Sequence, residues 1–186
     1  MFGSSKDPQV TAGDARAAAG NLTFGDLDGD GKPELVSPSV DTRLFGASIH
    51  DGQGIQFQHL LSAWNAETGA YVPAFPRLIE DWTFLTAPVL ADVTGDGKPE
   101  IVIGNGEGFV HAFRLNGSEP SGWPKYVGQW VQASAAPGDI DGDHDVDVAV
   151  VTRSGIVFVF GTEGLKSGID WGSMRWNKSN TGVFVP

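Results

Sequence analysis

The 186-residue sequence contains no cysteine, so disulfide staples, thiolate zinc sites and a cysteine nucleophile are excluded. It has no apolar run long enough to span a bilayer, and its first twenty residues lack the apolar core of a secretory leader. Positive charge is scarce: 12 Lys and Arg face 23 Asp and Glu, a formal net charge of -11. Phosphate backbones and anionic membrane surfaces need the opposite sign, which argues against nucleic acid as a partner. Catalytic signatures are missing as well. There is no G-x-S-x-G, no H-E-x-x-H and no G-x-x-x-x-G-K-[ST], and the sequence is read as non-catalytic.

What is present is enough apolar material for a core, 40% of residues against 19% charged, together with 26 Gly and 11 Pro. The apolar residues form short Val, Ile and Phe-rich runs between Gly, Asp and Asn clusters. That is the pattern of many short strands, so the fold class expected is all-β.

Internal repetition sets the architecture. One acidic pattern occurs three times, as DLDGDGKPE from Asp26, DVTGDGKPE from Asp92 and DIDGDHDVD from Asp139, the starts being 66 and 47 residues apart. Each copy follows a short apolar segment and precedes a β-rich one, so each acidic loop joins two strands. A third strand is expected at Ala63-Trp64, Ala112-Phe113 and Val159-Phe160, each leading to a glycine-containing turn at Gly69, Gly117 and Gly164. A fourth, outer strand is expected near Phe75-Pro76-Arg77 and Trp123-Pro124-Lys125. Four short antiparallel strands per unit match β-propeller blades, which bury one another's faces. The expectation is three four-stranded antiparallel blades forming an incomplete ring. Residues 1–20 are a leader or the remnant of a preceding blade, 21–86 the first blade with a rim insertion at 41–59, 87–133 the second, and 134–186 the third with a closing segment.

The loops offer oxygen ligands at alternate positions, which a hard cation such as Ca²⁺ requires. The first supplies Asp26, Asp28, Asp30, the backbone carbonyl of Lys32, and Glu34. The second supplies Asp92, Thr94, Asp96, the carbonyl of Lys98, and Glu100. The third supplies Asp139, Asp141, Asp143, the carbonyl of Asp145, and Asp147. Gly31 and Gly97 permit a sharp turn at the sixth position, where the third loop has His144. An EF-hand would need a bidentate Glu at position twelve, and Ser37, Ile103 and Val150 stand there instead. The competing reading is that these are Asp/Gly-rich turns held by Asx hydrogen bonds alone. Charge favours the metal: the proposed side-chain ligands include eleven carboxylates, leaving twelve acids to balance the 12 Lys and Arg. Three Ca²⁺ sites are therefore expected.

Other constellations are read more plainly. His50, Asp51 and His59 fall on the insertion and are taken as exposed loop, while His111 is placed in a strand as a structural residue. Trp82 and Trp130 recur at equivalent positions, which favours packing between blades over sugar stacking.

These residues resemble the FG-GAP/VCBS repeats of integrin-α-like β-propellers, whose D-x-D-x-D-G-x-x-D/E loop binds calcium between the first two strands of a blade. Phe24-Gly25, Ala87-Pro88, Ala136-Pro137 and the three loops carry the likeness, and WGSMRWNKSNTGVF from Trp171 is similar to a tail found in bacterial propellers of this kind, with Asn177 where an Asp is usual. The resemblance implies a secreted or cell-surface protein, extracellular or periplasmic, acting in ligand binding, adhesion or scaffolding. Its partners would be upstream propeller blades of the same protein and a protein or glycan ligand. The alternative is an accessory propeller domain of a secreted hydrolase or polysaccharide lyase whose catalytic part lies upstream.

Overall fold

The computed structural model describes residues 16–18, 21–41, 59–83 and 86–172. Among them there is no α-helix, only strands, turns and one short 3-10 turn at Lys166–Gly168, so the protein is all-β. The strands are β1 (Arg16–Ala18), β2 (Thr23–Gly25), β3 (Glu34–Asp41), β4 (His59–Asn65), β5 (Arg77–Ile79), β6 (Val89–Ala91) and β7 (Glu100–Gly104). They continue as β8 (Phe109–Phe113), β9 (Lys125–Tyr126), β10 (Ala136–Gly138), β11 (Asp145–Val151), β12 (Val157–Leu165) and β13 (Ile169–Trp171).

Three antiparallel sheets result. The first runs β1-β3-β4-β5, with β2 on the same edge of β3 as β1: β2 pairs with the start of β3 and β1 with its end. The second runs β13-β6-β7-β8-β9 and the third β10-β11-β12. Each acidic loop therefore joins the first two strands of its repeat, β2 to β3, β6 to β7 and β10 to β11, as the sequence predicts. The expected outer strands are present as β5 and β9, and the peptide bonds before Pro76 and Pro124 are both cis. No closed ring is formed by the described residues.

The sheets stack face to face in chain order, because alternate residues of each strand point to opposite sides. Val36, Leu61, Ala63 and Ile79 of the first sheet meet Leu90, Ile101, Ile103 and Phe113 of the second. From the other side of the second sheet, Val89, Val102, Val110 and Ala112 meet Val146, Val148 and Val150, with Phe158 and Phe160 packed against them. The second sheet is thus apolar and buried on both sides. Among the described residues nothing packs on the far face of the third sheet, where Val157 is 63% and Val159 50% exposed. Ala149, which stands at the place in its repeat that Val36 and Val102 fill in theirs, is half-buried where both of those are at 0%.

The third repeat departs from the expected four-stranded plan. Its sheet has three strands among the described residues. Gly164, expected in a turn, instead continues β12, which pairs out to Leu165 opposite Asp145. Ile169–Trp171, grouped by the sequence with the third repeat, pair with β6 of the second sheet. His59 corrects the loop expectation: it opens β4 and is 3% exposed, held in register opposite Val40 and Ile79. His50 and Asp51 lie outside the described residues, as does most of the 41–59 insertion.

Candidate metal centres

The three loops share one hydrogen-bond plan. The opening aspartate turns back on its own loop: Asp26 Oδ1 accepts from Gly29 N at 2.7 Å and Asp92 Oδ1 from Gly95 N at 2.7 Å. In the third loop Asp139 Oδ1 accepts from Gly142 N, also at 2.7 Å. At the far end the ninth residue reaches back to the second: Glu34 Oε2 accepts from Leu27 N at 2.9 Å, Glu100 Oε2 from Val93 N at 3.0 Å, and Asp147 Oδ2 from Ile140 N at 2.8 Å. The fifth residue accepts from the seventh, Asp30 from Lys32, Asp96 from Lys98 and Asp143 from Asp145. These are the Asx-type bonds of the competing reading, and in the first and third loops they hold three carboxylates near a common point, a group that includes neither Asp30 nor Asp143.

That convergence is measurable. In the first loop, carboxylate oxygens of Asp26, Asp28 and Glu34 lie within 4.8 Å of one another, and in the third so do those of Asp139, Asp141 and Asp147. In the second loop Thr94 takes the place of an acid. Its hydroxyl donates to Glu100 Oε1 at 3.2 Å and lies 3.4 Å from Asp92 Oδ1. The sixth position needs positive φ in every copy, 83° at Gly31 and at Gly97, and His144 adopts 77° to preserve the turn. The fourth position needs it too, at Gly29, Gly95 and Gly142. The sequence carries glycine there in all three copies, a signal of the turn that is independent of the ligand spacing.

The electrostatics follow from burying carboxylates, with neighbouring carboxylate charges as the smaller cause. Burial pushes the Glu34 carboxyl up to about 7; the Leu27 amide hydrogen bond opposes this, and the charges of Asp28, Asp26 and Asp30 add to it. Burial likewise raises Glu100, against the Val93 amide, with Asp96 and Asp92 reinforcing the rise. Asp139 goes the other way. Its burial would raise it, but the Gly142 amide and the Lys166 charge and hydrogen bond together hold it below the usual range. Lys166 Nζ lies 3.5 Å and His144 Nδ1 3.7 Å from Asp139 Oδ2. Neither contact is foreseen from spacing, since Lys166 arrives from beyond β12.

The donor set fits a hard divalent cation. Every converging side-chain atom is oxygen, from carboxylate or hydroxyl, and no nitrogen or sulfur ligand stands at the alternate positions. Of the residues expected to ligate through the backbone, Lys32 sends its side chain away to Glu67 at 2.7 Å, and Asp145 begins β11. The first two loops share one rim, where Asp28 and Asp96 line a single cleft of about 200 Å³.

The remaining candidate residues are structural. His111 is 2% exposed, with Nε2 2.9 Å from Glu80 and Nδ1 3.1 Å from Glu119, so it joins the segment after β5 to the second sheet. Burial lowers His59 despite Asp81 at 3.8 Å. Trp82 packs its ring 5.2 Å from that of His59, and Trp130 lies beneath the Arg153 guanidinium at 5.9 Å.

Comparison with known proteins agrees with this geometry over part of the chain. No curated protein matches the sequence. The family model described as an FG-GAP-like repeat matches residues 92–150, a span running from the first residue of the second acidic loop, through β7, β8 and β9 of the second sheet and the third loop, into β11. Such repeats are generally non-catalytic and typical of extracellular proteins, and no helix among the described residues is long and apolar enough to cross a membrane.

Proposed function

We propose that the protein is a calcium-binding segment of β-propeller, one Ca²⁺ to each acidic loop, that acts outside the cytoplasm by binding, adhesion or scaffolding rather than catalysis. The observation carrying this reading is the threefold recurrence of one loop plan, in which an opening and a closing carboxylate are tied by the same amide bonds, with the carboxylate oxygens clustered in the first and third loops. An Asx turn needs the bonds but not the clustered carboxylates, and the Glu34 carboxyl, pushed up to about 7 by burial with the charges of Asp28, Asp26 and Asp30 adding to the rise, would be relieved by a cation. In the first loop Asp26, Asp28, Asp30 and Glu34 would hold the ion with the Lys32 carbonyl. Asp92, Thr94, Asp96 and Glu100 would do so with the Lys98 carbonyl, and Asp139, Asp141, Asp143 and Asp147 with that of Asp145. The ion would offset two of the negative charges of its loop and lock the two strands it joins.

The propeller reading is supported by the stacking order. Each sheet covers one face of its predecessor, and the third sheet ends in an apolar face of the kind covered in the other two. Further blades of the same protein are the partners that would complete the ring. A protein or glycan ligand would be met on the rim. The accessory-domain alternative uses the same calcium chemistry and differs only in what the segment is joined to.

Extracellular modules of this kind bind calcium at about 10⁻⁴ to 10⁻³ M, so ~10 mM Ca²⁺ stabilises by about 1.5 to 3 kcal/mol per site. With three sites filled in a chain of this size, the expected outcome is a Tm higher in calcium than in chelator by at least about 10 °C. Calorimetry in the two buffers checks it, and superimposable melts sink the metal assignment.

A further inference from the structure

We infer that the cleft between the second and third sheets, at the end of the stack away from the acidic loops, binds a carboxylate-bearing sugar, with Arg153 holding the carboxylate. The inference rests on the binding role proposed above, whose ligand class it narrows, and does not depend on calcium.

The cleft, of about 520 Å³, is lined by Gly106, Gln129, Trp130, Arg153 and Ser154. That volume falls in the range of small-ligand sites, about 300 to 1,000 Å³. The acidic loops enter β7 and β11 at one end, and turns at residues 105–108 and 152–155 leave those strands at the other. Arg153 comes from the second of these turns, and its amide donates to the Trp130 carbonyl at 2.8 Å. Its guanidinium lies 5.9 Å over the Trp130 ring and makes no ion pair among the described residues. The indole thus supports the cation, while Arg153, Ser154 and Gln129 all remain exposed.

The same junction occurs once before, between the first and second sheets, with the charge reversed. Trp82 and Trp130 each stand six residues after a cis proline. The two turns are closed alike, Asn105 N donating to the Phe109 carbonyl and Thr152 N to the Ile156 carbonyl, both at 2.9 Å. Gly106 therefore corresponds to Arg153, and Asp81 to Gln129. At the first junction a Cβ on Gly106 would collide with the Asp81 carboxylate. At the second, the acid has become an amide and the glycine a guanidinium. Although the chain carries a net charge of -11, no carboxylate lines this cleft among the described residues. The counter-charge to Arg153 is left to a ligand.

A guanidinium presents paired N–H donors that match the two oxygens of a carboxylate. Beside it, Gln129 and Ser154 offer an amide and a hydroxyl. These answer the hydroxyls of a sugar ring, which an aspartate or glutamate side chain lacks, so the lining favours a uronate over an acidic peptide.

The test uses the full chain, ¹⁵N-labelled, titrated at constant ionic strength with methyl glucuronide, methyl glucoside, sodium acetate and an acetylated tri-aspartate peptide. The Arg153 and Gly155 amides, bonded to the Trp130 and Thr152 carbonyls, report the cleft. Methyl glucuronide is expected to shift both saturably and to leave Gly29, in the first acidic loop, unmoved. The glucoside and acetate should each bind about tenfold more weakly or worse, and Arg153→Gln should weaken the glucuronide by a similar factor. Arg153→Lys, which keeps the charge and loses the fork, should recover only part of the loss. Equal midpoints for glucuronide and acetate would make this a bare anion site and overturn the sugar, as would tighter binding of the peptide. Equal midpoints for glucuronide and glucoside would remove the role of Arg153, and unmoved cleft amides would overturn the site. The calcium melts test the metal reading separately, so each of these failures leaves it standing.

Discussion

The second and third sheets are made from the same loop and hairpin, yet they sit in different surroundings. β7 is buried along its whole length, whereas β12 alternates between exposed and half-buried residues through most of its own. Their compositions do not account for this, since β12 begins Val-Phe-Val-Phe, apolar on both faces like β7. What differs is the neighbour: among the described residues the second sheet has one on each side and the third has one on a single side, and β12 is an edge strand where β7 is central. Burial here is set by stacking order, and a strand apolar on both faces is suited to being covered twice.

Paired truncations put the largest strain on that comparison. Ile101→Ala in the second sheet should cost about 2 to 5 kcal/mol, because Ile101 is fully buried between sheets. Val159→Ala on the open face should stay within about 0.5 kcal/mol. Urea unfolding of both variants measures the gap, and equal costs would show that something covers the third sheet. Next in size, Gly164→Ala drives a Cβ into the Asp92 carbonyl and should cost about 1 to 3 kcal/mol. Hydrogen exchange at the Asp92 amide, which is bonded to Gly168, should quicken in that variant. If its protection survives, the end of β12 and the turn after it are not what ties the second loop to the third.

The smallest effect contrasts the loops by pH. In metal-free protein Glu34 is raised from 4.5 to about 7, so the fold holds the proton more tightly than the unfolded chain does. Its contribution is favourable at acid pH and is lost as pH rises through about 7. Asp139 is lowered, so its contribution is present above the unfolded value of 3.8 and is lost as pH falls through the depressed one. Chelated protein should therefore lose stability between about pH 4.5 and 7, and Glu34→Gln should flatten that slope. A slope unchanged by the substitution would separate it from the first loop.

The parts of this design that were legible in the sequence are local ones. The Asp and Gly spacing located the loops, because ligand position and positive φ are decided within nine residues, and the flanking apolar runs located β2 to β9. What escaped depends on distant contacts. Gly164 looks like a turn residue; its role as a point of close approach becomes visible only once Asp92 lies against it. Lys166 shows no relation to Asp139 along the chain, from which it is 27 positions removed. Arg16–Ala18 carry no clear strand pattern and become one by pairing with the end of β3. His59 looked like loop because it borders a Gly-rich insertion, and cross-strand pairing rather than its own preference makes it the start of β4.

The return of Ile169–Trp171 to β6 has a mechanical side. The chain leaves the second sheet after Tyr126, builds the third, and comes back to the opposite edge of the sheet it left. A pull applied beyond Gly172 would load β6 first, in the middle of the stack. The third sheet hangs from the second as a side branch, able to loosen on its own while the tension passes it by.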